Sequence, residues 1–224
     1  MEYKNVPKLS IPEVLTNYFE DLPDELIHVI VIGANEGDLK DFLTEHLNRK
    51  NLRGILVEPV SYMFKSLTNK FRKNKNLLFE NAAIDAKNTT RVIYGLKKDE
   101  DLPDWAKGLG SFNKKILTEH ENQLTNLRKH VIKEKVNCIT LKSLVEKHNF
   151  PKINILQIDT EGHDYEIIRS IDFVNLRPEI IIFEYLHLTT YQYYSALALL
   201  DSKNYFVRRN LDSFDVIAIN KEIL

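Results

Sequence analysis

An apolar, β-branched stretch over residues 27–32 leads directly into Gly33, and Gly37 follows four residues later. A buried strand that ends in a glycine turn before a helical pattern is typical of α/β proteins that hold nucleotide-like ligands, because glycine accepts positive φ and lets the backbone approach a ligand closely. A second apolar strand, 53–58, ends in Glu58. An acidic residue about 20 residues after the turn predicts a group that binds ribose hydroxyls.

Predicted strands and helices alternate along most of the chain with short connections. This alternation predicts a mainly parallel sheet with helices on both faces, and the last two strands predict an antiparallel hairpin. The predicted elements are a helix at 12–21, strands at 27–32, 53–58, 77–80, 135–139, 153–158 and 179–184, helices at 38–50, 61–72, 141–149, 163–170 and 190–202, and hairpin strands at 205–208 and 214–219.

The alternation breaks after residue 84. Residues 91–94 predict an extra strand, and a long polar loop follows at 97–113, a kind of loop that is usually functional in a compact domain. Apolar residues spaced three and four apart then predict an amphipathic helix over 114–135. We therefore expect a lid or insertion around residues 96–133 that could roof a pocket.

Composition narrows the class of protein. The 224 residues carry 31 Lys and Arg against 32 Asp and Glu, a formal charge of −1, which offers no overall attraction to nucleic acid or to an anionic membrane. The single cysteine, Cys138, rules out an intrachain disulfide. No secretion signal or membrane-spanning stretch stands out, so we expect one cytoplasmic domain over residues 1–224, with a helix at 11–22 before its core and no nucleic-acid or membrane partner.

The turn itself restricts the ligand. Gly33 and Gly37 are present, but position 35 is Asn, so the three-glycine dinucleotide fingerprint is incomplete, and no Gly-Lys-Ser/Thr triphosphate motif occurs. A ligand with a ribose and no phosphate, such as S-adenosylmethionine, would still need the close turn and Glu58. An ordinary turn of a parallel sheet remains the alternative interpretation.

Five motifs together resemble the FkbM-type methyltransferase family across residues 25–220. The resemblance implies a class I methyltransferase (Rossmann-like) fold with a seven-stranded sheet, S-adenosylmethionine as the cofactor and an oxygen of a sugar or related natural product as the usual acceptor. The motifs are residues 33–37 (Gly-Ala-Asn-Glu-Gly), 57–59 (Val-Glu-Pro), 81–84 (Asn-Ala-Ala-Ile), 158–162 (Ile-Asp-Thr-Glu-Gly) and 183–185 (Phe-Glu-Tyr).

The sequence departs from the family pattern at two positions. The family usually has Asp two residues before the first glycine, where this chain has Val31, and Lys before the Ile-Asp pair, where this chain has Gln157. From the motifs and the resemblance we expect cofactor contacts at Gly33, Ala34, Asn35, Gly37, Glu58, Pro59, Asn81, Ala82, Ser111 and Asp159.

Two polar clusters follow predicted parallel strands and predict the reaction site. Asp159, Glu161 and His163 follow strand 153–158. Glu184 is the last residue of strand 179–184, and His187 follows that strand. Ligands of open α/β sheets bind beyond the carboxyl ends of the strands, so adjacent strands would bring the clusters together. The alternative is that Asp159 or Thr160 caps the following helix and that Glu161 complements its positive end.

Methyl transfer from a sulfonium needs an aligned acceptor oxygen and a base for its proton. Asp159, His163 and His187 are candidate bases, while Glu161 and Glu184 are candidates for orienting them or for holding sugar hydroxyls. A divalent metal on Asp159, Glu184 and His187 is an alternative use of the same groups. We expect an O-methyltransferase acting on a sugar, a glycan or a related small molecule. An N-methyltransferase and a non-catalytic protein with a cofactor-binding fold remain alternatives.

Overall fold

The computed structural model describes residues 10–37, 42–97, 102–103, 106, 108–119, 122, 127–210 and 212–224. A seven-stranded sheet forms its centre, flanked by a smaller four-stranded sheet. Within the described part of the chain, no helix combines the length and apolar character needed to span a membrane.

The described strands and helices follow the predicted order closely except between residues 38 and 139. The strands are β1 (Ile27–Ile32), β2 (Leu52–Val57), β3 (Leu77–Glu80), β4 (Ala83–Ile84), β5 (Thr89–Leu96), β6 (Gly110–Ser111), β7 (Val131–Ile139), β8 (Ile155–Ile158), β9 (Ile180–Glu184), β10 (Tyr205–Arg209) and β11 (Asp215–Asn220). The helices are α1 (Ile11–Asp21), α2 (Ser61–Phe71), α3 (Lys114–Thr118), α4 (Leu127–His130), α5 (Leu141–Lys147), α6 (Asp164–Ser170) and α7 (Thr190–Ser202).

The central sheet has the strand order β10-β11-β9-β8-β1-β2-β3. Neighbouring strands from β3 to β9 are parallel, and β11 is antiparallel to both β9 and β10. The prediction of a seven-stranded, mostly parallel sheet with a C-terminal antiparallel hairpin is therefore confirmed.

Strand β1 explains why the sheet is covered on both faces. All six of its residues are buried, and successive side chains of a strand point to opposite faces. Val29 and Val31 join the apolar cluster that contains the buried face of α1, whereas Ile30 and Ile32 join the cluster that contains α5, α6 and α7. A continuous apolar run is the pattern that a strand buried on both faces requires.

The strand order reverses beside β1, because β2 follows it on one side and β8 pairs with it on the other. Such a reversal opens a crevice beyond the carboxyl ends of the two central strands, where ligands of α/β proteins bind. Gly33 and Asp159 directly follow β1 and β8, so the chain places both residues at this crevice.

The four-stranded sheet, with the order β4-β7-β5-β6, corrects the sequence analysis in the central region. The predicted helix over 114–135 is wrong beyond α3 and α4, because residues 131–135 belong to β7. Residues 120–121 and 123–126 lie outside the described residues. Eight residues of β5 pair antiparallel with β7, and this long ladder outweighs the helical spacing of a few apolar residues. Strand 135–139 is thus the end of β7 and belongs to the smaller sheet.

The predicted helix at 38–50 is also not formed where the structure describes it. Residues 38–41 lie outside the described residues, and residues 42–48 form successive turns. The amide of His46 donates to Leu43 O, a three-residue step, and the amide of Leu47 donates to the same oxygen. Because Leu43 and Leu47 are buried and His46 stacks on Phe19 with ring centroids 4.4 Å apart, the apolar pattern is satisfied without a regular helix.

The two departures from the family pattern lie beside each other. Val31 and Gln157 are register partners on β1 and β8, so their side chains share one face of the sheet, and both are buried. The Asp and Lys that the resembling family usually carries at these positions would face each other as an ion pair. This chain replaces both charges, and the Gln157 Oε1 atom is left without a hydrogen-bond partner.

The paired replacement predicts a coupled effect on stability. Val31→Asp should lower the free energy of unfolding by about 3 to 5 kcal/mol, because it buries a charge without a partner. Adding Gln157→Lys to that variant should recover at least about 1 kcal/mol. Urea denaturation of the wild type, both single variants and the double variant measures the coupling, and strictly additive effects would contradict the cross-strand pairing.

Candidate functional site

The glycine turn brings β1 and β8 into backbone contact. Gly33 has φ +83°, and a Cβ atom at this position would lie 1.7 Å from the carbonyl oxygen of Asp159. The amides of Gly33 and Ala34 both donate to Val57 O at 3.0 Å, which ties the turn to the end of β2 as well. Glycine is therefore required at position 33 by both conformation and space.

Glu58 fixes the same turn from the other side. Its Oε2 accepts the amide of Asn35 at 2.9 Å, and its Oε1 accepts the amide of Val60 at 2.8 Å. Burial raises the pKa of Glu58 to about 7, although these two amide hydrogen bonds lower it. A carboxylate has about four lone-pair positions, so Glu58 keeps acceptor capacity for a ligand hydroxyl.

A cleft of about 480 Å³ opens at the crevice between β1 and β8. Of the predicted cofactor contacts, six line the cleft: Gly33, Asn35, Glu58, Pro59, Ala82 and Asp159. Glu161 and His163 from the predicted reaction site line it as well.

Four predicted cofactor residues do not line this cleft, and three of them support its walls. Gly37 packs against Phe71, and its carbonyl oxygen accepts a hydrogen bond from Lys70 Nζ. The Asn81 amide group donates to Glu58 O at 2.9 Å and to Pro59 O at 3.1 Å, which braces the loop after β2. The remaining two residues are Ala34 and Ser111.

Ala34 is buried in the apolar cluster under the sheet and faces away from the cleft. Ser111 is buried in β6, where its hydroxyl donates to Glu161 O at 2.7 Å and accepts the amide of Asn113 at 3.1 Å. Ser111 therefore joins the smaller sheet to the loop that follows β8. Its direct contact with a cofactor stays a prediction.

The predicted insertion supplies one wall of the cleft. Gly108, Gly110 and Phe112 line it, and a Cβ atom on Gly108 would lie 3.3 Å from Asn35 Oδ1. The Gly-Leu-Gly-Ser-Phe segment at 108–112 was the available sequence signal. Ile93 of β5 also lines the cleft, and periodicity alone gave no indication of that contact.

His163 is held in a network that the sequence analysis did not assemble. Its Nε2 lies 3.2 Å from Asp85 Oδ1, and Asp85 Oδ2 accepts Arg91 NH1 at 2.8 Å. The Arg91 guanidinium covers the Phe112 ring at 3.8 Å, and that ring contacts His163 edge to face. Burial lowers the pKa of His163, so the neutral form is favoured despite the nearby carboxylate. Asp85 could have been noticed from its place directly after Ile84.

The two polar clusters do come together at the ends of β8 and β9. Burial, followed by the charges of Glu161 and Glu184, raises the pKa of Asp159 well above its usual value. Burial and the Glu161 charge raise the pKa of Glu184 to about 9. Asp164 and Asp215 add further negative charge to this acidic cluster, which we define as Asp159, Glu161, Asp164, Glu184 and Asp215.

His187 joins the acidic cluster from the loop after β9. Its Nε2 lies 3.0 Å from Glu161 Oε2, and the hydrogen bond to Glu161 raises the pKa of His187. One ligand atom each of Glu161, Glu184 and His187 lies within 4.8 Å of the others. The metal alternative had named Asp159 with Glu184 and His187. Glu161 replaces Asp159 in the set that the described residues bring within this distance.

The helix-capping alternative for Asp159 and Glu161 is not what the structure describes. Asp164, the first residue of α6, braces the loop before the helix instead: its Oδ2 accepts the Thr160 hydroxyl at 2.9 Å and the amide of Gly162 at 3.3 Å. The residue before α6 is His163, whose side chain makes no capping hydrogen bond. The importance of Asp164 was missed, because an acidic residue in a first helical turn is common.

The profile of the methyltransferase FkbM domain matches residues 32–211, which is most of the chain. The chain belongs to the FkbM methyltransferase family. This assignment confirms the resemblance on which the sequence analysis relied, and among curated proteins none matches the chain.

Solved structures agree with this FkbM fold. The chain is similar to an FkbM methyltransferase from Methylobacillus flagellatus KT, with a TM-score of 0.52 and 10% identity over 86% of this chain and 43% of that one. It therefore spans less than half of that protein. Lower scores of 0.48 relate it to an rRNA methylase from Streptococcus thermophilus (8% identity, 96% and 99% covered) and to the CurJ carbon methyltransferase (12% identity, 94% and 53% covered).

The raised pKa of Glu58 predicts a pH-dependent stability. A carboxyl group with a folded-state pKa of about 7 and an ordinary value of 4.5 binds its proton more tightly in the folded state. Its contribution is complete below pH 4.5 and is lost as the pH rises through 7, a change of about 3 kcal/mol. Urea denaturation between pH 4.5 and 8 should show this loss in the wild type relative to Glu58→Gln. Parallel pH profiles of the two proteins would contradict it.

Proposed function

We propose that this FkbM domain transfers the methyl group of S-adenosylmethionine to a hydroxyl of a sugar, a glycan or a related small molecule. The observation that carries the proposal is one cleft with two chemically different ends. Glu58 follows β2 and Asp159 and Glu161 follow β8, so these carboxyl groups approach the cleft from opposite sides of β1. Cofactor and acceptor would therefore meet between β1 and β8.

The cofactor end is preorganised before any ligand arrives. Glu58 is held by two backbone amides, and Gly33 keeps the turn close to β8. The remaining lone pairs of Glu58 would accept the two ribose hydroxyls, and the apolar surface of Ala82 and Ile84 would contact the adenine ring. A preformed site lowers the ordering cost of binding.

At the acceptor end, the reaction needs an in-line displacement. A bond forms between the acceptor oxygen and the methyl carbon, the carbon–sulfur bond breaks, and its electron pair stays on the sulfur of S-adenosylhomocysteine. The hydroxyl proton leaves to a base, and Asp159 would receive it, a role supported by its position directly after β8 on the cleft wall. His163 borders the same wall, but its Nε2 is engaged by Asp85.

Aromatic rings beside the acidic cluster favour a sugar-like acceptor. Tyr185 directly follows Glu184, and its ring lies 4.9 Å from that of Tyr193 and 5.8 Å from that of Phe214. Tyr194 and Phe214 are exposed. Aromatic faces pack against the apolar faces of sugar rings, while carboxylates accept the hydrogen bonds of hydroxyls.

Glu58→Ala should weaken S-adenosylhomocysteine binding by about 10- to 100-fold, because it removes hydrogen bonds to a charged group. Isothermal titration calorimetry measures the change. Glu80→Gln is a suitable control, since its carboxylate pairs with Lys147 and His148 and does not line the cleft. Absence of saturable binding to the wild type would contradict the proposed function, and unchanged binding by Glu58→Ala would contradict the role of Glu58.

Asp159→Asn should lower kcat by about 100-fold or more while leaving S-adenosylhomocysteine affinity within a few-fold, because the amide cannot take the acceptor proton. The assay follows labelled methyl groups from S-adenosylmethionine into a panel of monosaccharides and nucleotide sugars, with a parallel panel of amines. Asp201→Asn makes the same chemical change at an exposed ion pair and should be neutral. Methylation of amines alone would contradict hydroxyl transfer, and an unchanged kcat would contradict the role of Asp159.

A further inference from the structure

Three side chains converge where the loops after β8 and β9 meet. Glu161 lies in the first loop, Glu184 ends β9 and His187 lies in the second loop. Their ligand atoms are all within 4.8 Å of one another, and the His187 Nε2 to Glu161 Oε2 distance is 3.0 Å. Two carboxylates and an imidazole are a donor set that accepts divalent cations.

The backbone holds these loops together. Gly162 has φ +97°, and a Cβ atom there would lie 3.2 Å from both the Cβ and the carbonyl oxygen of His187 and 2.8 Å from the Ile116 side chain. Glu161 itself has φ +50°, an uncommon value for a residue with a side chain. The convergence therefore depends on a constrained backbone and not on three freely moving side chains.

Further acidic side chains surround the convergence. Asp159, Asp164 and Asp215 belong to the same acidic cluster. Among the described residues, the ion pair of this cluster is the one between His187 and Glu161. A cation bound at the convergence would therefore have acidic side chains around it.

Two buried oxygens in this region also lack partners. Glu184 Oε2 and Asp164 Oδ1 are buried, and neither has a hydrogen-bond partner. Asp164 is only 1% exposed, so its orphaned oxygen has no access to bulk water. Unsatisfied buried acceptors are rare and commonly indicate an ion or a water molecule that completes the site.

We propose that Glu161, Glu184 and His187 bind one divalent cation of the Mg²⁺ or Mn²⁺ type. Octahedral sites for these ions place ligand atoms about 3 to 4 Å apart, so small side-chain adjustments suffice. Water molecules and acceptor oxygens would fill the remaining positions. Asp164 would stay in the surrounding shell and orient the loop through Thr160 and Gly162.

The role of this cation rests on the proposed function, whereas its binding does not. Glu161 lines the cleft and also belongs to the proposed cation site, so a bound ion would lie next to the acceptor hydroxyl. Coordination lowers the pKa of a hydroxyl and fixes its orientation. The ion would thus make the acceptor oxygen easier to deprotonate without contacting the ribose end of the cleft.

The test measures the binding of Mn²⁺ to the chain of residues 1–224 after treatment with a chelator. Free Mn²⁺ gives a sharp electron paramagnetic resonance signal that is lost on binding. We expect saturable binding of one Mn²⁺ per chain and at least a tenfold weaker affinity in Glu184→Gln. Circular dichroism and a urea denaturation curve verify that the variant is folded.

Glu80→Gln provides the matched control, because Glu80 is also 3.0 Å from a histidine but has Lys147 as a compensating cation. It should bind Mn²⁺ as the wild type does. If Glu184→Gln fails to fold, His187→Gln replaces it, with the same expected loss. The absence of saturable binding to the wild type, or equal affinity of the wild type and both ligand variants, would overturn the proposal.

The same experiment separates this proposal from the proposed function. Mn²⁺ binding without binding of S-adenosylhomocysteine would support the cation site and contradict the methyltransferase assignment of the cleft. Methyl transfer by chelator-treated protein that binds no Mn²⁺ would support the proposed function and overturn the cation site.

Discussion

The contact between the backbones of Gly33 and Asp159 sets the positions of the other site groups. A side chain at position 33 would collide with the Asp159 carbonyl, so β1 and β8 approach this closely only because the residue is glycine. The contact aligns the carboxyl ends of three parallel strands. Glu58 after β2 and Asp159 after β8 then face the same cleft, although about 100 residues of sequence separate them.

The central sheet and much of the site could be predicted because their signals are local. Strand β1 is buried on both faces and therefore reads as an uninterrupted β-branched run, and Glu58 and Asp159 directly follow such strands. The smaller sheet could not be predicted in the same way, since β5 and β7 pair across about 40 residues. Val131 satisfied a helical spacing and an extended pairing equally well, and the tertiary contact decided between them.

Contacts between distant parts of the chain also explain two of the three site groups that the sequence analysis missed. Phe112 and Asp85 reach the cleft or His163 only through the smaller sheet and its loops, while Asp164 resembles an ordinary acidic residue in a first helical turn. Val31 stands where the family usually has Asp. In the fold it is one half of a neutral cross-strand pair with Gln157, on a face of the sheet directed into the apolar core.

The hydrogen bond from the Ser111 hydroxyl to the backbone of Glu161 connects the smaller sheet to the loop after β8. Gly33 and Glu58 directly follow strands of the central sheet, whereas the loop that carries Glu161 is also anchored to the smaller sheet. A change in β6 would therefore move Glu161, while Glu58 would keep its hydrogen bonds to the amides of Asn35 and Val60. Ser111 is thus the point through which a change in the smaller sheet reaches the carboxyl end of β8.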